Sequence, residues 1–132
     1  MPRLDDNALR VLHEDAALLV VDKPAGLLSV PGRLPENRDS LALRVQAVHP
    51  EALIVHRLDQ VTSGLLLMAR DPATHRALSE AFAGRRIGKR YQALVEGVVE
   101  GECGEIDLPL ICDWPNRPRQ KVDHAIGKPS RT

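Results

Sequence analysis

The chain has 132 residues, 43% of them apolar and 27% charged, and its eighteen basic and eighteen acidic side chains give a formal net charge of zero. That length supports one domain around one modest core, spanning residues 1–132. No apolar run approaches the ~20 residues of a membrane helix, and Met1-Pro2-Arg3-Leu4-Asp5-Asp6 lacks the cationic start and apolar stretch of a secretory signal, so the cytoplasm is the expected location.

In chain order, Ala8 to Leu12 and Leu18 to Val21 read as strands around the acidic turn Glu14-Asp15. Pro24-Ala25-Gly26 breaks the second strand, Leu27 to Val30 is a short apolar continuation, and Pro31 to Asn37 reads as a loop. Ser40 is placed to cap a helix running to about Val48, with Leu41, Val45 and Val48 on one face. Ala52 to Val55 and Leu65 to Ala69 read as buried strands. Asp71-Pro72 is a helix start, a capping acid followed by proline at the first helical position. Leu78, Ala81 and Phe82 share its core face, and Gly84 suits its stop. Tyr91 to Val99 alternates partly and reads as a strand, Gly101 to Gly104 as a turn, and Ile106 to Leu108 as a further short strand. From Asp113 on, Pro, Arg, Asn and Lys dominate, which reads as an exposed loop. Strands mixed with a few helices, without regular βαβ alternation, predict an α+β fold.

Charge is unevenly spread. Residues 1–66 carry seven basic and nine acidic side chains, and residues 67–132 carry eleven and nine. Arg85, Arg86, Lys89 and Arg90 form one basic run, and Arg117, Arg119 and Lys121 form another. Such runs are commonly solvated faces, but beside a catalytic signature they become phosphate contacts. Aromatic side chains are confined to Trp114, Tyr91 and Phe82, which disfavours an RNA reader built on successive aromatic platforms. Cys103 and Cys112 make neither a disulfide framework nor a paired zinc motif, and the five histidines are scattered singly, so no metal is expected.

The most informative stretch is His56-Arg57-Leu58-Asp59-Gln60-Val61-Thr62-Ser63-Gly64-Leu65-Leu66-Leu67-Met68-Ala69-Arg70. It sets one carboxylate, Asp59, in a short turn between two apolar runs, with a cation two residues before it. Taken alone, such a run reads more often as a solvated ion pair than as a site. The whole string, however, closely resembles the signature of the RluA-type RNA pseudouridine synthases: His-Arg-Leu-Asp, two residues, Thr-Ser-Gly, then an apolar strand ending in Ala. Leu19-Val20-Val21-Asp22-Lys23-Pro24-Ala25-Gly26-Leu27 is similar to the family's early strand and Lys-Pro-x-Gly turn. Lys89-Arg90-Tyr91-Gln92-Ala93-Leu94-Val95-Glu96-Gly97 is similar to its Lys-x-Tyr-x-Ala-x-Val-x-Gly strand. Asp113-Trp114-Pro115-Asn116-Arg117-Pro118-Arg119-Gln120-Lys121 resembles a segment of the branch that modifies both ribosomal and transfer RNA. The resemblance implies a bent, mostly antiparallel sheet with flanking helices.

It also implies the chemistry. The family converts uridine in RNA to pseudouridine: the C1′–N1 bond breaks, the uracil turns, and C5 bonds to C1′, with no cofactor. By resemblance Asp59 is the catalytic aspartate, ionised at neutral pH and able to act as nucleophile or base; attack on the sugar, attack on the base and removal of a sugar proton all stay open. Arg57 is the candidate for filling the space left by the extruded base or holding a flanking phosphate, with a local Asp59 ion pair as the plainer alternative. Tyr91 offers a ring to lie against uracil and a hydroxyl to relay a proton. His56 is expected to support the turn, and Thr62, Ser63 and Gly64 to fix it, the hydroxyls by bonding to the backbone.

One family feature is missing. A later Gly-Arg-Thr/Ser-His-Gln-Ile/Leu-Arg-x-His motif, whose final arginine pairs with the catalytic aspartate, does not occur before Thr132. The sequence therefore predicts a C-terminally truncated catalytic domain with no preceding S4-like domain, weakly active or inactive alone. It would be monomeric or associate through an exposed sheet edge. Expected partners are a 23S ribosomal RNA stem-loop and the anticodon arm of certain transfer RNAs. The competing expectations are a non-catalytic RNA-binding remnant and a small assembly module without RNA.

Overall fold

The structure is a computed structural model that describes residues 9–132. Its chain divides into two compact units, the first ending at Arg90 and the second comprising Tyr91–Thr132.

The first unit is a four-stranded antiparallel sheet in the order β1-β2-β4-β3, with β1 Val11–Glu14, β2 Leu18–Lys23, β3 Leu53–Ile54 and β4 Gly64–Ala69. The β1–β2 turn is set by Asp15. Its carboxylate takes the His13 imidazole and the Ala17 and Leu18 amides, and those bonds, His13's first, lower its pKa to about 2. The first strand starts three residues later and ends two residues later than expected, and Ala8 falls outside the described residues.

Alternation in β2 and β4 sends Leu19, Val21, Leu66 and Met68 to one face, all fully buried. Helix α1, Leu41–Val48, covers that face with Leu41, Ala42 and Val45. Val48 was expected on the same stripe but is 65% exposed: it is the helix's last residue and runs past the core. Ser40 caps α1 by accepting from the Leu43 amide at 3.3 Å, and two more first-turn amides reach outside the helix. Leu41 donates to the Leu28 carbonyl at 2.8 Å and Ala42 to the Ser29 carbonyl at 3.1 Å. Donors that a helix start leaves unpaired thus fix the segment 28–29, which forms one parallel bridge from Leu28 to Ser40 in place of a strand. Helix α2, Pro72–Ala83, starts as the sequence requires: Asp71 accepts from the Thr74 amide at 2.8 Å. Its expected core face, Leu78, Ala81 and Phe82, is only half-buried. Gly84 ends it at φ −79°, and the left-handed residue is Arg85 at φ 53°.

The second unit is a three-stranded antiparallel sheet in the order β6-β5-β7, with β5 Asp107–Cys112, β6 Gln120–Val122 and β7 Lys128–Arg131. Two expectations change here. The segment after Asp113, read as an exposed loop, returns twice along β5; its polar composition suits strands exposed to solvent. Residues 91–99, read as a strand, make no ladder. Alternation meets only the local requirement of a strand; the other is a neighbour's free edge, and neither β6 nor β7 pairs with this segment. Its Tyr91, Leu94, Val95, Val98 and Val99 are exposed. No described helix is long and apolar enough to cross a membrane.

Candidate active site

Asp59 lies on the loop between β3 and β4, exposed to solvent. It opens a β-turn in which the Thr62 amide donates to the Asp59 carbonyl at 3.0 Å. The peptides on both sides of it are held by a segment some thirty residues earlier. On the N-terminal side, the buried Ser29 hydroxyl makes two bonds to one residue: it donates to the Leu58 carbonyl at 2.6 Å and accepts from the Leu58 amide at 2.9 Å. On the C-terminal side, Gly26 and Gln60 are joined twice. The Gly26 amide donates to the Gln60 carbonyl at 2.7 Å, and the Gln60 Nε2 returns a bond to the Gly26 carbonyl at 3.1 Å. Gly26 reaches this position at φ +91°, where a side chain would be strained.

Lys23 completes the arrangement. The alternation that buries Leu19 and Val21 places Lys23 on the same face, fully buried at the end of β2. Its ammonium donates to the Pro24 and Gln60 carbonyls at 3.0 Å each and to the Leu27 carbonyl, so all three protons are used. Burial pushes the pKa of Lys23 down, and the negative charge of Asp59 opposes that shift.

His56 holds the far end of the loop. β3 stops at Ile54, opposite Met68, and the next free amide of β4 on that side is met by an imidazole: Leu67 donates to His56 Nε2 at 3.0 Å. The ring stacks on Phe82 of α2 with centroids 4.4 Å apart and an interplanar angle of 18°. To accept at Nε2 the ring must be neutral, with its proton on Nδ1. Burial, and then the charge of Lys89, lower its pKa. β4 begins at Gly64, whose φ of +127° turns the chain out of the loop.

The sequence-predicted residues thus fall into two groups. His56, Arg57, Asp59, Thr62, Ser63 and Gly64 share one loop of the first unit, which also contains Arg85, Arg86 and Lys89, all exposed. Tyr91, Arg117, Arg119 and Lys121 belong to the second unit, with Tyr91 60% exposed. Three details differ from the sequence reading. Arg57 forms no ion pair with Asp59 among the described residues. The turn is closed by the Thr62 amide on the Asp59 carbonyl, and not by a Thr62 or Ser63 hydroxyl bond among the described residues. Lys23 and Ser29, which carry most of the grip on the loop, were not singled out as site residues. Ser29 left no signal in the sequence, whereas Lys23, an ionisable residue at a core-facing strand position, did. No cluster of His, Cys, Asp and Glu able to hold a metal occurs among the described residues.

Residues 17–132 match the family described as RNA pseudouridylate synthase. The chain belongs to that family. Among relatives, it is 55% identical over 122 residues to the dual-specificity RNA pseudouridine synthase RluA of Vibrio vulnificus strain CMCP6, covering 92% of this chain and 49% of that protein. It is 50% identical over 124 residues to the protein of the same name from Escherichia coli strain K12, covering 94% and 57%. It spans about half the length of the curated relatives it matches. Among solved structures, human RNA pseudouridylate synthase domain containing 1 superimposes with a TM-score of 0.74 at 24% identity over 95% of this chain and 50% of that one. The corresponding human domain containing 4 protein gives 0.66 at 24%, over 93% and 47%. These last two likenesses concern the fold, the mixed α+β architecture of antiparallel sheets with flanking helices that the pseudouridylate synthases share.

Proposed function

We propose that this chain is part of the catalytic domain of a cytoplasmic RNA pseudouridine synthase, and that Asp59 is its catalytic carboxylate. The observation that carries this reading is the loop itself. An exposed acid is offered to solvent while the peptides before and after it are clasped by Ser29, Gly26 and Lys23, the preorganisation that a reacting group needs. The reaction is an isomerisation: the C1′–N1 bond of uridine breaks, C5 bonds to C1′, and the proton on C5 is lost as N1 gains one. Asp59 acts as nucleophile or as base in it. Arg57, exposed two residues away, fills the space of the extruded base or holds its phosphate. Tyr91 lies against the uracil. His56, Thr62, Ser63 and Gly64 shape the loop, and Arg85, Arg86, Lys89, Arg117, Arg119 and Lys121 contact phosphates. The "dual-specificity" in the name of the relatives, together with the resemblance at Asp113–Lys121, supports a 23S ribosomal RNA stem-loop and a transfer RNA anticodon arm as substrates.

The test is tritium release from RNA labelled at uridine C5. Weak release by the parent chain that is lost in Asp59→Asn is the expected result. A second reading, an RNA-binding remnant without turnover, is favoured by one observation: no ion pair to the Asp59 carboxylate forms among the described residues. Salt-dependent RNA binding by a folded sample that releases no tritium would select it.

A further inference from the structure

The chain's single tryptophan is not in a core. Trp114 sits on the connection from β5 to β6 and is 67% exposed. The connection is braced. Asp113 donates its amide to the Arg119 carbonyl at 2.8 Å, one step beyond the last ladder pair, Cys112 with Gln120. Inside that closure the Asn116 amide donates to the Asp113 carbonyl at 2.9 Å and the Arg119 amide to the Asn116 carbonyl at 3.1 Å. The Asn116 side-chain amide also binds the Asp113 carboxylate at 2.9 Å. On this frame the Arg117 guanidinium lies 3.9 Å from the centre of the indole ring, within cation–π range. A guanidinium can cover one face of an indole; the exposure of Trp114 shows that much of the ring is left to solvent.

Three exposed basic side chains, Arg117, Arg119 and Lys121, accompany the ring in sequence. Arg119 immediately precedes β6 and Lys121 lies within it. The nearby acids are engaged by main-chain and amide donors. Asp113 holds Asn116, and Asp123 accepts from the Ala125 and Ile126 amides at 2.9 and 3.1 Å. The exposed groups here are an aromatic plane and three cations, which complement a strand of phosphates carrying flat bases: the cations suit the phosphates and the indole suits the base faces, a pairing that an apolar protein surface does not offer.

We propose that Trp114 is a stacking platform for an unpaired nucleobase of RNA, with Arg117 backing the ring and Arg119 and Lys121 taking adjacent phosphates. This rests on the reading of the chain as an RNA-acting protein, and adds a contact that supplies affinity without sequence preference, because every base has a face to stack. It accounts for a large aromatic residue held in water by a braced connection.

Because Trp114 is the sole tryptophan, its emission reports the site directly. The intact 132-residue chain is titrated at low salt with an end-labelled single-stranded oligouridine, reading tryptophan emission and label anisotropy together. Saturable quenching is expected over the same concentrations as the anisotropy rise. Trp114→Ala should weaken binding by about fivefold to a hundredfold, and Trp114→Phe should keep most of it. Arg119→Ala with Lys121→Ala should flatten the dependence of affinity on salt, which Trp114→Ala leaves in place. Binding with unchanged emission, equal affinity of the Ala variant, absence of RNA binding at low salt, or emission that changes with protein concentration alone, the mark of self-association, would each overturn the proposal. Tritium release dependent on Asp59 would persist in the first two cases, so failure of the platform is separable from failure of the enzymatic reading.

Discussion

Ser29 is a small residue with a large lever. Its carbonyl is tied to the first turn of α1 and its hydroxyl to both polar groups of Leu58, so the helix start, the hydroxyl and the residue before Asp59 form one connected path. Ser29→Ala keeps the size of the side chain nearly constant and removes the clasp. It should destabilise the protein by about 1–2 kcal/mol, since one residue then has two partly buried groups unpaired. Chemical denaturation reads that loss, and hydrogen exchange at the Leu58 amide should quicken while exchange in α2 does not; an unchanged Leu58 rate would remove Ser29 from the path. At this scale the sequence marks the candidate acid and says little about what holds it. Asp59 is marked by its neighbours in the chain. Ser29 acts on main-chain atoms of Leu58, and a contact between residues thirty apart that touches only peptide groups leaves no side-chain pattern to read; Lys23 leaves one trace, a charge at a core-facing strand position.

Helix starts, whose signals are local, were legible, as were the alternating strands β2 and β4; the pairing of the second unit's sheet was not. Ser40 and Asp71 announce α1 and α2, because a cap is a bond between residues three apart. The strand expected at 91–99 and the pair β6 and β7 missed after Asp113 both turn on pairing, which composition does not report. The edge of β4 shows the same dependence in another form, since a side chain, His56, continues what β3 leaves off. That substitution makes the sheet edge sensitive to acid. With its folded pKa below the ordinary 6.5, His56 binds fewer protons folded than unfolded between those two values. Its contribution is therefore complete above about pH 6.5 and declines as pH falls toward the lowered folded value. Thermal unfolding followed from pH 7.5 to 5 should show a decline that His56→Gln reduces; identical profiles would refute the link.

Across the whole molecule, every buried residue among those described lies at or before Ala69. The core belongs to β2, β4 and α1, whereas β5, β6 and β7 are held by their ladders and by exposed ion pairs such as Arg131 with Glu105. Protection against local opening follows buried apolar contact. Backbone amides of β5–β7 are accordingly expected to exchange at least tenfold faster than those of β2 and β4 under native conditions, as mass spectrometry of peptic fragments would show; equal protection would mean that the two units open as one. The clasp on the Asp59 loop has a consequence for how this chain can vary. Lys23 and Ser29 grip carbonyl and amide groups, which all twenty amino acids carry except for proline's missing N–H. The side chains of Leu27 and Leu58 can drift without loosening the grip, while the two residues that do the gripping cannot. Mutational tolerance here should follow who donates and who merely lends a peptide bond, and not distance from the Asp59 carboxylate.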